Sequence, residues 1–175
     1  STQLEGSTSC VECPSGTYGD VEGTPTCLRC PAGTSLNKIG QKSNTTCEQC
    51  APGTYASSAG QSSCTTCPWG TYSMVNRTGC VECPIGTFSE QAGASTRTVC
   101  KACPQGTYNP NSAAATCLFC PSGHFHNKTE SVNVSDCIPC PLGQYASAGV
   151  CYACPSGTFS TKSGLARESD CDKCP

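Results

Sequence analysis

Large aliphatic and aromatic core residues are scarce in this sequence. Leu, Ile, Val and Phe together account for 21 of the 175 residues, about 12%, and there is one Met and one Trp. A chain with less than about 20% of those four residues normally cannot form a packed core. The composition therefore excludes a single large globular domain, and with it an ordinary enzyme built around a deep apolar pocket.

Positive charge and long apolar segments are lacking as well. The 10 Lys and Arg residues are scattered singly in a chain of net charge −2. They are too few and too dispersed to neutralise a nucleic-acid backbone or to hold an anionic membrane surface. No apolar run approaches the length of a transmembrane helix or of a signal peptide. We therefore expect no nucleic-acid partner and no transmembrane segment in this chain.

Cysteine, in contrast, is abundant: the chain has 20, about 11% of its residues. At this content covalent cross-links can replace the burial of apolar side chains. Every cysteine belongs to a Cys-x-x-Cys pair, and the ten pairs are Cys10/Cys13, Cys27/Cys30, Cys47/Cys50, Cys64/Cys67, Cys80/Cys83, Cys100/Cys103, Cys117/Cys120, Cys137/Cys140, Cys151/Cys154 and Cys171/Cys174. The chain is therefore an internal repeat.

The repeats are 14 to 20 residues long, and short and long ones mostly alternate. Nine pairs are followed directly by Pro, then x-Gly and usually Thr with an aromatic residue, as in CPSGTYGD and CPIGTFSE. We divide the chain into the tail of a preceding repeat (1–9), repeats 1–2 (10–46), repeats 3–4 with a slip in the alternation (47–79), repeats 5–6 (80–116), repeats 7–8 (117–150), and repeat 9 with the start of the next (151–175). Neither end resembles a capping repeat, so we expect a fragment of a longer array.

Paired cysteines at this spacing fit either disulfides or zinc sites with four thiolate ligands. Disulfides are favoured by four Asn-x-Ser/Thr sequons in the polar inserts, which predict N-glycosylation in an extracellular, secreted or cell-surface protein. The acceptor residues are Asn44, Asn76, Asn127 and Asn133. We expect no metal or other cofactor apart from these N-linked glycans, with O-glycans on the Ser/Thr-rich inserts as a further expectation. A multi-zinc protein is the third and least favoured hypothesis.

The spacing leaves two disulfide connectivities open. A module scheme would join Cys10 to Cys27 and Cys13 to Cys30. A ladder scheme would join the second cysteine of each pair to the first of the next, and it leaves Cys10 and Cys174 for neighbouring repeats. The ladder, which we prefer, comprises Cys13–Cys27, Cys30–Cys47, Cys50–Cys64, Cys67–Cys80, Cys83–Cys100, Cys103–Cys117, Cys120–Cys137, Cys140–Cys151 and Cys154–Cys171. In either scheme a closed loop of about 15 residues contributes roughly 3 kcal/mol.

The segments after the pairs predict tight turns and short strands. Pro fixes φ after each bridge, Gly two residues later can take a positive φ, and Thr with Tyr or Phe suits a strand. We therefore predict a small disulfide-rich fold, an elongated solenoid-like rod of short β-hairpin repeats with almost no helix and no single hydrophobic core. Each repeat should touch only its neighbours.

Two groups of side chains are candidates for contacts rather than for chemistry. Trp69 and Ile85 stand between Pro and Gly, where other repeats mostly have small or polar residues, and we predict that they contact another chain. His124 and His126, the only histidines, are interpreted as a surface variant of the Thr-aromatic step. No Ser has a recognisable base and orienting acid, so the sequence predicts no catalytic residue and no enzyme.

The Cys-x-x-Cys-Pro-x-Gly-Thr-Tyr pattern, over residues 10–175, resembles the ephrin-receptor-like cysteine-rich repeat and, more loosely, the modules of tumour-necrosis-factor-receptor ectodomains. Similar arrays occur in metazoan receptors and in large surface proteins of protists and algae, including the mastigoneme type. The resemblance implies an extracellular disulfide repeat, and the bridging known in the receptor family supports the ladder. The third cysteines of a complete receptor module are absent from this chain.

Two functions follow from these expectations. The first is an extracellular structural glycoprotein, part of a filament, flagellar appendage or cell coat, whose partners are copies of itself or further repeats of the same chain. The alternative is the stalk or ligand-binding part of a receptor ectodomain, whose partner is a protein ligand.

Overall fold

The computed structural model describes residues 12–19 and 26–175. The chain divides into two compact units, one comprising Ser1–Glu82 with Gln91–Arg97 and the other Cys83–Glu90 with Thr98–Pro175. The tail at 1–9 and Cys10 lie outside the described residues.

Each unit is built from two-stranded antiparallel hairpins. The first unit contains β1 (Thr17–Tyr18), β2 (Leu28–Arg29), β3 (Thr34–Ser35), β4 (Glu48–Gln49), β5 (Thr54–Tyr55), β6 (Thr65–Thr66), β7 (Thr71–Ser73) and β8 (Cys80–Glu82). The second contains β9 (Thr87–Phe88), β10 (Lys101–Ala102), β11 (Thr107–Tyr108), β12 (Leu118–Phe119), β13 (His124–Phe125), β14 (Ile138–Pro139), β15 (Gln144–Ser147), β16 (Val150–Ala153), β17 (Thr158–Phe159) and β18 (Asp172–Lys173). Each odd-numbered strand pairs with the next even-numbered one, and among the described residues no sheet has a third strand or closes.

In most repeats a Pro-x-Gly-Thr segment forms the turn that begins the hairpin. In the first, the Thr17 N–H donates to the Pro14 carbonyl at 3.1 Å and the Thr17 hydroxyl donates to the same oxygen at 2.7 Å. Gly16, at the third position of this turn, has φ +82°, a left-handed conformation that a glycine adopts without steric cost. The Thr-Tyr strand that follows pairs with the two residues between the next cysteines, so that Thr17 faces Arg29 and Tyr18 faces Leu28.

Long and short repeats differ by a single 3-10 turn placed just before the first cysteine of a pair. The four turns are Asn44–Thr46, Arg97–Val99, Val134–Asp136 and Glu168–Asp170. They occur in the loops whose bonded cysteines are 17 residues apart, whereas in the other loops the separation is 11 to 14. The described residues contain no other helix.

The interior of the fold is largely sulfur and small side chains. The largest fully buried side chains are those of Ser89 and of seven second cysteines of their pairs, namely Cys13, Cys30, Cys50, Cys67, Cys83, Cys103 and Cys140. Leu36 is the one large aliphatic side chain in the described interior. The expectations of a small disulfide-rich fold of β-hairpin repeats, with almost no helix and no single hydrophobic core, are confirmed.

Candidate functional site

In the described part of the chain nine disulfides hold the hairpins, and each joins the second cysteine of one pair to the first of the next. The bonds are Cys13–Cys27, Cys30–Cys47, Cys50–Cys64, Cys67–Cys80, Cys83–Cys100, Cys103–Cys117, Cys120–Cys137, Cys140–Cys151 and Cys154–Cys171. This is the ladder scheme. Cys174 is an exposed thiol, and it still donates its backbone N–H to Gly157, as the second cysteines of other repeats do to their turn glycines.

A zinc site would need the paired cysteines as thiolates, whereas in this structure they are joined in disulfides. Of the 19 cysteines that the structure describes, 18 are oxidised. Within the described part of the chain no group of three or more His, Cys, Asp or Glu side chains is placed to hold a metal ion. The geometry therefore gives the cysteines a cross-linking role.

Consecutive hairpins are joined by a recurring set of three backbone hydrogen bonds. In the second unit, the turn glycine Gly106 donates to the His126 carbonyl at 2.9 Å, and Asn109 donates to the Ser131 carbonyl at 2.9 Å. Glu130 returns a bond to the Cys103 carbonyl at 3.0 Å. The same three bonds occur in the first unit between the hairpins that begin at Cys13 and Cys30. The hairpins therefore stack through main-chain groups, with little dependence on side-chain identity.

The contacts reach further than the neighbouring hairpin. The turn of the β11–β12 hairpin, at Gly106, meets the loop of the β15–β16 hairpin at Gly149, although the β13–β14 hairpin lies between them in the chain. The expectation that each repeat touches only its neighbours is therefore wrong. The loops of the inserts are long enough to extend past one hairpin to the turn of the one before it.

A set of buried residues, which we call the buried column, occupies the position three residues after the turn glycine in hairpins of both units. Its members include Leu36, Ala56, Ser73, Ser89, Asn109, His126 and Ala146. The polar members are satisfied internally: the Ser73 hydroxyl accepts from the Gly53 N–H at 3.0 Å, and the Asn109 amide donates to the Thr87 carbonyl at 2.7 Å. These positions could not be recognised in the sequence, because most of their residues are small or polar and give no hydrophobic signal.

The two histidines have different environments. His124, in β13, is half-buried, and its Nδ1 lies 3.1 Å from the Ser122 carbonyl. His126 belongs to the buried column and contacts the Ser131 hydroxyl at 2.8 Å. The interpretation of both residues as a surface variant is therefore wrong for His126, because the strand ends at Phe125 and the next residue turns into the stack.

The four sequon asparagines are all exposed, in agreement with their place in the polar inserts. Asn44 begins a 3-10 turn, and Asn133 caps another by accepting the Ser135 N–H at 3.1 Å. Asn76 lies in the loop between β7 and β8, where its side-chain oxygen accepts the Thr78 hydroxyl at 3.0 Å. Asn127 follows β13, and its backbone carbonyl accepts from the Gln105 amide at 2.8 Å. Each acceptor is accessible to a modifying enzyme.

Trp69 and Ile85 are both exposed at the second position of their turns. Trp69, in the first unit, is 61% exposed, and Ile85, in the second, is 52% exposed. The second unit also exposes apolar side chains between paired cysteines and nearby, namely Leu118, Phe119, Ile138, Leu142 and Tyr152. Because much of each of these side chains remains exposed, they are available for contacts with other molecules.

Tyr145 and Tyr152 form an aromatic pair across the β15–β16 hairpin, with ring centroids 5.9 Å apart. The Tyr145 hydroxyl donates to Glu168 at 3.4 Å. Desolvation, together with the nearby Glu168 carboxylate, raises the pKa of Tyr145 above its usual value of 10.0. The hydroxyl therefore remains a hydrogen-bond donor at physiological pH.

The disulfide ladder and the stacked hairpins define the class of this protein, an extracellular cysteine-rich module of the receptor-like or structural kind. The family described as "Tyrosine-protein kinase ephrin type A/B receptor-like" matches at residues 1–47, 40–73 and 94–137, together about two thirds of the chain. The chain belongs to this ephrin-receptor-like family of cysteine-rich repeats. A search of curated proteins gave no significant match. No helix among residues 12–19 and 26–175 has the length and apolarity needed to cross a bilayer.

Proposed function

We propose that this chain is a structural part of an extracellular glycoprotein, a disulfide-stapled repeat array that contributes to a filament, flagellar appendage or cell coat. Its partners are further repeats of the same kind or other copies of the chain. N-linked glycans at Asn44, Asn76, Asn127 and Asn133 shield the backbone from proteases, and the proposal assigns the chain no catalytic activity and no metal or cofactor.

The observation that carries the proposal is the uniformity of the stacking. The same three main-chain hydrogen bonds recur between hairpins of both units, although the Gly53 N–H donates to the Ser73 hydroxyl instead, and the described disulfides all follow one order. A stack whose contacts are main-chain groups can be extended without a new interface at each step. Because such head-to-tail contacts need not close on themselves, they favour open assemblies.

The disulfides give the array mechanical strength. Each closes a loop in which the bonded cysteines are 11 to 17 residues apart, and a loop of this size is stabilised by roughly 3 kcal/mol relative to the open chain. Under tension the force passes through the disulfides and the short links between loops, so the residues inside a closed loop are not extended.

The ligand-binding or stalk part of a receptor ectodomain is the second candidate. It is favoured by the exposed apolar residues of the second unit, such as Phe119, Ile138 and Tyr152. The corresponding positions within several other cysteine pairs are polar, as in Glu48-Gln49 and Thr65-Thr66. A local change of surface in an otherwise uniform array is what a protein ligand would require.

Electron microscopy of the native, unreduced protein at its source distinguishes the two candidates. Filaments that are labelled by an antibody to this chain at a regular axial spacing support the structural function. Single molecules dispersed on membrane fragments contradict it and favour the receptor.

Substitution of the exposed turn residues tests how copies meet. We expect Trp69→Ser or Ile85→Ser to reduce assembly, because each removes a large apolar side chain from the surface. Leu142→Ser is the matched control, since Leu142 is 63% exposed at the same turn position but is not part of the predicted contact. Equal assembly by the Trp69, Ile85 and Leu142 variants and the unmodified protein would exclude the contact.

A further inference from the structure

An open cavity of about 300 Å³ lies beside one of the four sequons, in the second unit. Its lining comes from three successive hairpins and includes Gln105, Phe125, Asn127, Pro141, Gln144 and Val150. The acceptor asparagine itself is therefore part of the wall, and whatever is attached to it starts at the cavity.

The backbone around Asn127 is held firmly at this position. The Gln105 side-chain amide donates to the Asn127 carbonyl at 2.8 Å. On the preceding residue, the His126 carbonyl accepts from the Gly106 N–H at 2.9 Å, and the His126 ring contacts Ser131. Asn127 keeps an exposed side chain on this fixed backbone, so a group attached to it begins from a defined place.

The lining combines apolar surface with amide groups. Phe125 is half-buried and Val150 is 43% exposed, so both present apolar atoms to solvent at the cavity. The side chains of Gln105 and Gln144 bring amide donors and acceptors to the same place. An N-acetylhexosamine matches this combination, because its C–H face packs against apolar and aromatic groups while its hydroxyl and acetamido groups form hydrogen bonds.

We propose that this cavity is a seat for the first N-acetylglucosamine of a glycan attached to Asn127, an inference that rests on the glycosylation included in the proposed function. Attachment forms a bond between Nδ2 of Asn127 and C1 of the sugar. One amide proton is lost, and the lipid pyrophosphate of the sugar donor leaves. The seated sugar covers Phe125 and Val150 and bonds to the amide of Gln144, so the glycan links the β13–β14 hairpin to the β15–β16 hairpin.

Asn133 is a control within the same loop. It lies six residues further along, is exposed, and has its side-chain oxygen engaged with the Ser135 N–H as a cap of the 3-10 turn. Asn133 is not part of the cavity wall, so a sugar attached to it would start from a turn on the surface. The rate at which an enzyme cleaves a glycan on Asn133 therefore measures how accessible this loop is when the sugar does not bind in the cavity.

The experiment uses the full chain secreted by a glycosylating eukaryotic cell. Glycopeptide mass spectrometry first gives the occupancy of all four sequons, and an endoglycosidase that cuts between the first two sugars is then applied to the native protein. We expect release at Asn127 to be slower than at Asn133 by about tenfold, since a seated sugar is reached only when it leaves the cavity. After reduction and denaturation the two rates should be equal.

Variants separate the seat from its surroundings. Gln144→Ala and Val150→Ser should speed release at Asn127 and leave Asn133 unchanged. Thr129→Ala, which removes the Asn127 sequon, should lower the melting temperature more than Ser135→Ala, which removes the Asn133 sequon. Equal native release rates at the two sites, or a Gln144→Ala variant that releases no faster, would overturn the seat.

Occupancy distinguishes failure of the seat from failure of the proposed function. Glycans at Asn44, Asn76 and Asn133 with a bare Asn127 would overturn the seat while leaving an extracellular glycoprotein in place. A secreted chain with no glycan at any sequon would overturn both.

Discussion

Gly106 and Gly149 meet backbone to backbone, and a Cβ built on Gly106 would lie 2.7 Å from the carbonyl oxygen of Gly149. Neither residue can therefore carry a side chain without moving the other. Their contact joins hairpins that are two steps apart in the chain, and it depends on the absence of a side chain rather than on an attractive group.

Gly106→Ala should destabilise the protein through both this clash and the backbone conformation. Gly106 has φ +78°, and a left-handed conformation costs a non-glycine residue roughly 1 kcal/mol or more. Overpacking against main-chain atoms adds about 1–3 kcal/mol. Gly157 is the matched control, because its φ is +83° but no heavy atom lies within 4 Å of its Cβ position. Thermal unfolding without reductant measures both variants, and an equal loss of stability in the two would show that the Gly149 contact is unimportant.

The regular parts of this fold could be predicted from the sequence because covalent chemistry and turn geometry determine them. Pro-x-Gly after most cysteine pairs specifies the turn, and Thr with an aromatic residue specifies the first strand, as in β1 and β11. The spacing alone left the ladder and the module scheme open, since both put cysteines at reachable separations in the chain. The resemblance to receptor repeats supported the ladder, which is the pairing present in the structure.

The stacking could not be predicted in the same way, because main-chain groups form it. A signal was present: the inserts contain a recurrent Gly, at Gly40, Gly60 and Gly93, whose N–H bonds to a cysteine carbonyl of a preceding hairpin. The signal was obscured because Ala113 and Glu130 occupy the equivalent position in two other repeats. The cavity beside Asn127 could not be predicted from the sequence either, because its lining residues come from three hairpins.

Asn109 should be far more important for stability than its polarity suggests. It is 2% exposed, its amide donates to the Thr87 carbonyl, and its side-chain oxygen accepts from the Asn111 N–H at 3.1 Å. Asn109→Ala leaves both main-chain groups without their partner, and we expect a loss of about 2–3 kcal/mol. Asn111→Ala is the control. It removes only an exposed side chain and retains the backbone N–H that bonds to Asn109, so it should change stability by less than about 0.5 kcal/mol. Unfolding curves with the disulfides intact compare the two, and similar losses would contradict the assigned role of the buried amide.

Ala113→Gly should stabilise the protein. Ala113 has φ +56° and holds the position that glycine occupies in other inserts, with its N–H bonded to the Cys83 carbonyl at 3.0 Å. Glycine removes the steric cost of this conformation, which exceeds its own entropic cost by roughly 1 kcal/mol. For a chain of this size that corresponds to a rise of about 2–4 °C in melting temperature.

Ala114→Gly is the control for the same loop. Ala114 is not among the residues with a positive φ, so glycine there only increases the freedom of the unfolded chain and should lower the melting temperature. If Ala113→Gly lowered the melting temperature as much as Ala114→Gly does, the left-handed conformation of Ala113 would be contradicted.

The ladder predicts how the unreduced protein comes apart under trypsin. Arg29 lies between Cys27 and Cys30, and Lys101 lies between Cys100 and Cys103. In the ladder no disulfide spans either position, so each cut breaks the last covalent connection between the two sides. Cuts at Lys38 and Lys42 fall inside the loop closed by Cys30–Cys47, so they release only the short peptide 39–42 and leave the two sides of the loop linked. After denaturation and alkylation without reductant, we therefore expect three main disulfide-held pieces, 1–29, 30–101 and 102–173.

In the module scheme Cys13–Cys30 and Cys83–Cys103 would span these two cuts. Fragments that stay linked across Arg29 or Lys101 on a non-reducing gel, and separate only with reductant, would therefore contradict the ladder.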